Sequence, residues 1–185
     1  MGKFHSAMTN AHIDFIRQQK MFFTATAPLS ATGHINLSPK GLDSFRVLSP
    51  TKVIYMDIVG SGNETSAHIL ENQRITFMFC AFEGAPNILR LYGKGHTVTD
   101  THADWQQYAS LFQLPLAVRQ FIVADIHKVQ TSCGFSVPYY DYAGERDHAE
   151  KWAAKKGIDG LQDYMQEKNM VSMDGLPTAL AIAHK

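Results

Sequence analysis

Aromatic and β-branched residues form short runs along much of the chain, and residues that favour turns separate one run from the next. The first run is MFFTATA at residues 21–27, and a turn with Pro28, Ser30 and Gly33 leads into a second run at 34–37. The later runs span residues 45–48, 53–59, 75–82, 87–98 and 121–130. Because short turns join most of these runs, the pattern predicts an antiparallel sheet.

Apolar residues with the spacing of a helix occur only near the start of the chain, between some of these runs and at the end of the chain. It predicts helices over residues 10–20, 66–72 and 100–112, and it returns with a higher density of charge after Glu145. The run at 87–98 contains two glycines, which mark a bulge or a sharp bend.

Six or seven short strands with small helices between them predict a mainly β (α+β) fold, a closed or nearly closed antiparallel barrel with a helical C-terminal tail. The whole chain, 1–185, is expected to form a single domain. Its core lies at about 10–130, and the segment 131–185 is partly helical.

Composition narrows the classes of function. The 17 Lys and Arg residues equal the 17 Asp and Glu residues, so no net field favours nucleic acid or a membrane, and a bound anion must be held by local geometry. No apolar run is long enough to span a bilayer, and the N-terminus MGKFHSAMTN lacks the apolar core of a signal peptide. We therefore expect a cytoplasmic protein in which Cys80 and Cys133 are reduced thiols. The nine histidines have no metal-binding spacing, so no metal site is predicted.

The first candidate site is the segment Asn36-Leu37-Ser38-Pro39-Lys40-Gly41. A hydroxyl, a cation and a flexible backbone follow one another at the predicted end of a strand, and a phosphate can use all three. An ordinary surface turn with a solvated lysine has the same composition.

The second candidate site is Gly60-Ser61-Gly62-Asn63-Glu64-Thr65-Ser66, which opens onto the predicted short helix. The backbone N–H groups and the dipole at a helix N-terminus favour an anion, and Thr65 and Ser66 add hydroxyl donors. Alternatively, these residues only start the helix, since Asn63 is a good cap and Ser61 and Glu64 have the spacing of a capping box. Glu64 would repel a phosphate unless it turns away or bonds to a sugar hydroxyl.

The two segments occur in a fixed order with their neighbours. Asn-x-Ser-Pro-Lys-Gly precedes the strand at 53–59, Gly-Ser-Gly-Asn-Glu-Thr follows it, and Ala67-His68-Ile69-Leu70-Glu71-Asn72-Gln73-Arg74-Ile75 and Leu91-Tyr92-Gly93-Lys94-Gly95 come later. This order resembles the pyridoxamine 5'-phosphate oxidase-like flavoproteins over roughly residues 10 to 130.

The resemblance implies an antiparallel split β-barrel that dimerises and holds FMN where the two subunits meet. The implied phosphate ligands are Ser38, Lys40, Thr65 and Ser66, and the strand Tyr55-Met56-Asp57 would be a wall for the isoalloxazine. The implied cofactor site as a whole comprises Asn36, Ser38, Lys40, Tyr55, Met56, Asp57, Asn63, Glu64, Thr65 and Ser66. The chain departs from the oxidase itself, because Thr65-Ser66 stands where the oxidase has an Arg-Lys pair, and the oxidase's C-terminal Arg-x-His pattern is not evident. We therefore predict a relative of the oxidase.

A third candidate lies at residues 132–142, SCGFSVPYYDY, and resembles a segment in an uncharacterised branch of the same family. Cys133, Tyr139 and Tyr140 are candidates for a substrate pocket over the flavin. The packing alternative is a small buried cysteine and a tyrosine contact between subunits.

These observations leave several functions open. The first is an FMN-dependent oxidoreductase that acts on a small molecule, in which no residue can yet be named as catalytic. The second is a non-catalytic protein that stores or senses flavin or haem on the same barrel. A third uses the deazaflavin F420, whose longer tail needs a more basic groove than Lys40, Arg46 and Arg90 offer. A homodimer is expected because a split barrel leaves an apolar face and a cofactor crevice exposed.

Overall fold

A computed structural model describes residues 2–184, and its centre is one eight-stranded antiparallel sheet. The strands are β1 (Lys3–His5), β2 (Phe22–Thr26), β3 (Asn36–Lys40), β4 (Phe45–Ser49), β5 (Lys52–Ile58), β6 (Arg74–Cys80), β7 (Ile88–Val98) and β8 (Val118–Ser132). The helices are α1 (Asn10–Gln18), α2 (Glu64–Asn72), α3 (Trp105–Ala109), α4 (His148–Lys168) and α5 (Ala179–Ala183). None of the helices in this part of the chain has both the length and the apolar character needed to cross a bilayer.

The sheet order is β3-β2-β6-β7-β8-β5-β4, and β1 pairs with β8. The end strands β3 and β4 do not pair with each other within the described residues, so the barrel is not closed, which confirms the predicted split barrel with a helical tail. The long strands β7 and β8 pair with each other, and their register shifts between Tyr92 and Gly93. A Cβ on Gly93 would lie 2.7 Å from the carbonyl oxygen of Asp125, so this bulge requires glycine.

Alternating side chains of five strands fill the core inside the barrel. Phe22 of β2 lies in contact with Tyr55 of β5 and with Phe79 of β6, at ring-centroid distances of 5.7 Å in both cases. Leu89 and Leu91 of β7 and several residues of β8 complete the cluster. Burial of each large apolar side chain stabilises the fold by about 1.5–3 kcal/mol. This energy determines which face of β2 and which face of β5 point into the barrel.

Strand β3 differs from the prediction in its bounds. The predicted run covers residues 34–37 and breaks at Ser38, with Pro39 in a turn, whereas β3 covers Asn36–Lys40 and includes Pro39. The physical reason is its position at the edge of the sheet, where β2 is its one partner among the described strands. Proline, which lacks an N–H group, is tolerated on an edge strand. Ser38 and Lys40 are therefore held by the sheet and not by a turn.

The helices follow the predicted order with different ends. Thr9 caps α1 in a capping box with His12, and α3 is shorter than the predicted segment at 100–112. The helix α2 begins at Glu64, two residues before the predicted start at Ser66. In the tail, α4 has a break at Gly157, where φ is 68° and ψ is 176°.

Candidate functional site

A cavity of about 500 Å³ lies between the end of β3, the end of β5 and the start of α2. It brings together the two sequence segments that were predicted to converge. The side chains and backbone that line it belong to Asn36, Ser38, Pro39, Lys40, Gly41, Leu42, Ser44, Met56, Asp57, Ile58, Val59, Gly60, Ser61, Gly62, Glu64, Thr65 and Arg119. Of the predicted cofactor residues, only Tyr55, Asn63 and Ser66 are absent from this lining.

The first group of polar residues that line the cavity lies on one face of β3. Residues two apart on a strand face the same side, so Asn36, Ser38 and Lys40 point together. The Ser38 hydroxyl donates to Asn36 Oδ1 at 2.8 Å, and Asn36 Nδ2 donates to Thr65 Oγ1 at 3.0 Å. Asn36 Nδ2 also donates to Thr26 Oγ1 at 3.2 Å. These bonds join β3 to the first turn of α2.

Asp57 of β5 is the electrostatic centre of the cavity. Its carboxylate accepts from Lys40 Nζ at 2.9 Å on one oxygen, and from Arg119 Nε at 2.9 Å and Gln120 Nε2 at 2.7 Å on the other. Arg119 was not among the predicted residues. The available signal was a single basic residue at the start of an apolar strand, LAVRQFIVADI, and that signal alone does not show which strand Arg119 will face.

Burial and charge act in opposite directions on Asp57. Removal from water raises the pKa of this carboxyl, but attraction to Arg119 and Lys40 and the hydrogen bonds from Lys40 and Gln120 outweigh that effect. The pKa of Asp57 is therefore held well below its usual value, and the carboxylate is ionised at neutral pH. The Asp57 carboxylate neutralises part of the positive charge of Lys40 and Arg119, which would otherwise attract a phosphate more strongly.

The two cations differ in their access to the cavity. The Lys40 side chain is 24% exposed, whereas the Arg119 side chain is only 4% exposed. Arg119 is further engaged through Nη1, which donates to Gly62 O at 2.9 Å and to Asn169 Oδ1 at 2.8 Å. Lys40 is thus the cation that a ligand can reach, and Arg119 is a structural part of the wall.

The start of α2 is arranged differently from the prediction. Asn63 occupies the N-cap position but makes no capping bond. Its amide donates to Asn169 O at 3.1 Å and its oxygen accepts from Gln120. Ser66 is fully buried, and its hydroxyl oxygen accepts from Thr97 and from the N–H of Ala179. Asn63 and Ser66 therefore face the interior and the C-terminal tail, and not the cavity.

Tyr55 and Glu64 also have positions that the sequence did not show. Tyr55 is buried in the aromatic core against Phe22 and Phe77, so Met56 and Asp57 alone of this strand segment border the cavity. Glu64 does border it, but its Oε1 accepts from the N–H of Met173 at 3.0 Å. The carboxylate is thereby tied to the tail.

The third predicted group lies elsewhere. Cys133 is exposed, and Tyr140 packs against Phe82 with a ring-centroid distance of 5.5 Å. Tyr140 and Tyr142 border a separate cavity of about 980 Å³ beside the start of β2. Neither Cys133 nor Tyr139 nor Tyr140 borders the first cavity. Within residues 2–184, no group of three His, Cys, Asp or Glu side chains is arranged to hold a metal ion.

The cavity has the size and some of the donors that a phosphorylated ligand such as FMN needs. A volume of about 500 Å³ is within the range of small-molecule sites. The Lys40 ammonium and the Thr65 hydroxyl are suitable donors for a phosphate, since Thr65 Oγ1 accepts from Asn36 and keeps its own proton. Ser38 has already donated its proton to Asn36 and offers only lone pairs. The site thus fits a phosphorylated ligand, but Lys40 and Thr65 are the side-chain donors that remain of the four predicted phosphate ligands.

An open antiparallel barrel with a polar cavity between its sheet and a helix start defines a split-barrel protein. The family profile described as pyridoxamine 5'-phosphate oxidase matches residues 8–133. The chain therefore belongs to the pyridoxamine 5'-phosphate oxidase family, as a relative of the oxidase and not the oxidase itself.

Relatives of known name agree with this assignment. The pyridoxamine 5'-phosphate oxidase family protein ustO of Aspergillus flavus is 36% identical over 196 aligned positions, which cover 96% of this chain and 78% of ustO. A solved structure of HupZ from Group A Streptococcus has a TM-score of 0.52 at 21% identity and covers 66% of this chain and 91% of its own. A putative pyridoxamine 5'-phosphate oxidase from Lactobacillus delbrueckii has a TM-score of 0.53 at 13% identity, covering 68% and 94%. At these identities the two structures show the fold alone.

Proposed function

We propose that the protein is a flavin-dependent oxidoreductase that binds FMN in the cavity between β3, β5 and α2 and acts on a small molecule. The observation that carries this proposal is the convergence of Lys40 and Thr65, which lie on separate elements, at one polar cavity. Membership in the oxidase family supports flavin as the cofactor. The bound flavin would supply the redox chemistry, and the protein supplies binding and orientation.

Lys40 and Thr65 would hold the phosphate, and Met56 would form part of the wall beside the ring. Asp57 keeps the Lys40 ammonium at the cavity, because the ion pair is 2.9 Å long and its carboxylate is immobilised by Arg119 and Gln120. The phosphate therefore shares Lys40 with Asp57.

The test is a titration of the purified protein with FMN and with riboflavin, followed by flavin fluorescence. Lys40→Met should weaken FMN binding by about tenfold or more, the value of one charge-assisted hydrogen bond, and should change riboflavin binding little. Lys52→Met is the matched control, because Lys52 lies outside the cavity lining and pairs with the exposed Asp125. Absence of FMN binding by the unaltered protein, or equal losses in both variants, would contradict the proposal.

A second candidate is a non-catalytic protein that binds or stores a flavin or haem. It is favoured by the chemistry of the cavity lining: Lys40 and Arg119 both pair with Asp57, and the described residues that line the cavity include no His, Cys or Tyr side chain to act as a catalytic acid or base. Turnover separates the two candidates. Steady consumption of NADH or NADPH by the flavin-loaded protein, with an electron acceptor present, would exclude the storage function.

We also propose that two copies associate as a homodimer in the cytoplasm. Ile35 precedes the edge strand β3 and is 77% exposed, and Leu37 within β3 is 64% exposed. Phe135 and Tyr139 are 80% and 77% exposed. Apolar side chains at such exposure are typical of surfaces that a partner covers. The unpaired thiols Cys80 and Cys133 support a reducing compartment.

A further inference from the structure

A compact loop at residues 169–178, called here the C-terminal loop, contacts the start of α2. It lies outside the part of the chain that the family profile matches. The loop is closed by bonds from Thr178 N to Met170 O and from Ser172 N to Leu176 O. Ser172 and Thr178 are buried. The loop is therefore an ordered part of the molecule that the C-terminal tail contributes.

Asn169 begins the C-terminal loop and is fully buried beside the cavity. Its Nδ2 donates to Gly60 O at 2.9 Å, and its Oδ1 accepts from Arg119 Nη1 at 2.8 Å. Its backbone oxygen accepts from Asn63 Nδ2 at 3.1 Å and from Thr178 Oγ1 at 2.8 Å. One residue thus contacts the glycine-rich segment, the start of β8 and the cap of α2.

Residues 60–62, called here the glycine-rich wall, form one side of the cavity, and these bonds hold both of its ends. Asn169 binds Gly60 O directly, and it orients Arg119, which in turn binds Gly62 O. Glycine has wide conformational freedom, so a wall built on Gly60 and Gly62 needs external bonds to keep one shape. The bonds from Asn169 and Arg119 provide them.

We propose that Asn169 is a positioning residue for the cofactor cavity. It fixes the Gly60–Gly62 wall, and it keeps Arg119 on one oxygen of Asp57, so that Lys40 occupies the other oxygen and faces the ligand. As far as it concerns FMN, this inference rests on the proposed function.

The chemistry of the side chain explains why asparagine is required. Only an amide of this length donates to Gly60 O and accepts from Arg119 at the same time. An aspartate at this position would accept from Arg119 but could not donate to Gly60 O, and its charge would compete with Asp57 for the guanidinium.

The experiment compares Asn169→Ala with Asp174→Ala in the full chain. Asp174 lies in the same loop, but its carboxylate accepts from the backbone and ring of His34 at 2.7 Å, away from the cavity lining. We expect Asn169→Ala to weaken FMN binding by about tenfold or more, as for a lost buried hydrogen bond to a charged group, and Asp174→Ala to change it by less than about threefold.

A second measurement needs no flavin. Amide hydrogen exchange at Val59 and Ala67, whose N–H groups donate to Ala117 O and Asn63 O on either side of the wall, should become faster in Asn169→Ala by about tenfold and should stay unchanged in Asp174→Ala, because opening of the wall is a local event. If both variants lose FMN binding equally and show equal exchange, the loop acts through general stability and the inference is wrong. If the unaltered protein binds no FMN, the proposed function fails, and the exchange measurement alone decides the role of Asn169.

If Asn169→Ala does not fold, Asn169→Asp replaces it. This variant keeps the acceptor for Arg119 and the length of the side chain, and it loses the donor to Gly60 O. Faster exchange at Val59 and Ala67 is expected, together with a larger loss of FMN binding than of riboflavin binding relative to the unaltered protein. Unchanged exchange and unchanged binding would overturn the proposal.

Discussion

At the scale of single residues, the cavity depends on a buried carboxylate held between two cations. Asp57 is almost completely buried, and it contacts Lys40, Arg119 and Gln120 within 2.9 Å. A buried charge is tolerated only when it is paired and hydrogen-bonded, so loss of one partner leaves the others uncompensated. Sequence periodicity predicted that Asn36, Ser38 and Lys40 share a face. It could not predict Arg119, because its contact with Asp57 depends on the pairing of β5 with β8.

Replacement of Asp57 by asparagine should destabilise the protein at pH 7. We expect a loss of about 3 kcal/mol in the free energy of unfolding, because the variant leaves the buried Arg119 without its counter-ion. Urea denaturation measures the change. The control is Asp125→Asn on the exposed pair with Lys52, which should cost less than about 1 kcal/mol.

The same carboxylate predicts a dependence of stability on pH. Because its pKa is lower in the folded state, the contribution of Asp57 is complete above the unfolded-state pKa of about 3.9 and is lost as the pH falls below that value towards the folded pKa. Urea denaturation at pH 7 and at about pH 3 should therefore show a smaller loss of stability on acidification for Asp57→Asn than for the unaltered protein. Parallel acid dependence in the two proteins would contradict the assigned ion pair.

At the scale of secondary structure elements, most strands and helices were predictable, and their ends were not. The strand run at 34–37 was predicted to break at Ser38, but an edge position allows β3 to continue through Pro39 to Lys40. Helix α2 begins at Glu64, before the predicted start. The side chain of Asn63, at the N-cap, bonds to Gln120 and Asn169 and not to the backbone of its own helix. Local sequence does not contain those partners.

Two glycines in α4 provide a test of its break. Gly157 has a φ of 68°, which side chains rarely adopt, whereas Gly160 has open helical geometry with only Lys156 nearby. Gly157→Ala should destabilise the protein by about 1–3 kcal/mol, and Gly160→Ala should be neutral or stabilise it by up to about 1 kcal/mol. Thermal unfolding of both variants measures the difference. Equal effects would show that α4 straightens without cost.

At the scale of the whole molecule, the open barrel leaves apolar side chains exposed around β3, where we propose that a second copy binds. Leu37 points away from the cavity, because it alternates with Ser38 on β3. Its side chain is largely exposed in one subunit, so a charged substitution there reports chiefly on association.

Light scattering at micromolar concentration should give twice the 20.7 kDa mass of one chain. Leu37→Glu should shift the mass towards that of a single chain if the face around β3 forms the interface, since burial of an unpaired charge opposes association. Lys128→Glu, another exposed position in the sheet, is the control. A single-chain mass for the unaltered protein would contradict the proposed dimer.

The sequence by itself determined the order of the strands, the split-barrel class through its family resemblance, and the two segments that meet at the cavity. The strand runs and their order along the chain follow from local periodicity and turn chemistry, which neighbouring residues decide. The split-barrel class and the meeting of the two segments were implied by the family resemblance and not by these local patterns. Only the tertiary structure decided that Asp57 holds both Lys40 and Arg119 and that Asn169 binds the glycine-rich wall from the tail. Each of these contacts joins residues far apart in the chain, and their partners are selected by strand register and packing, which no local pattern specifies.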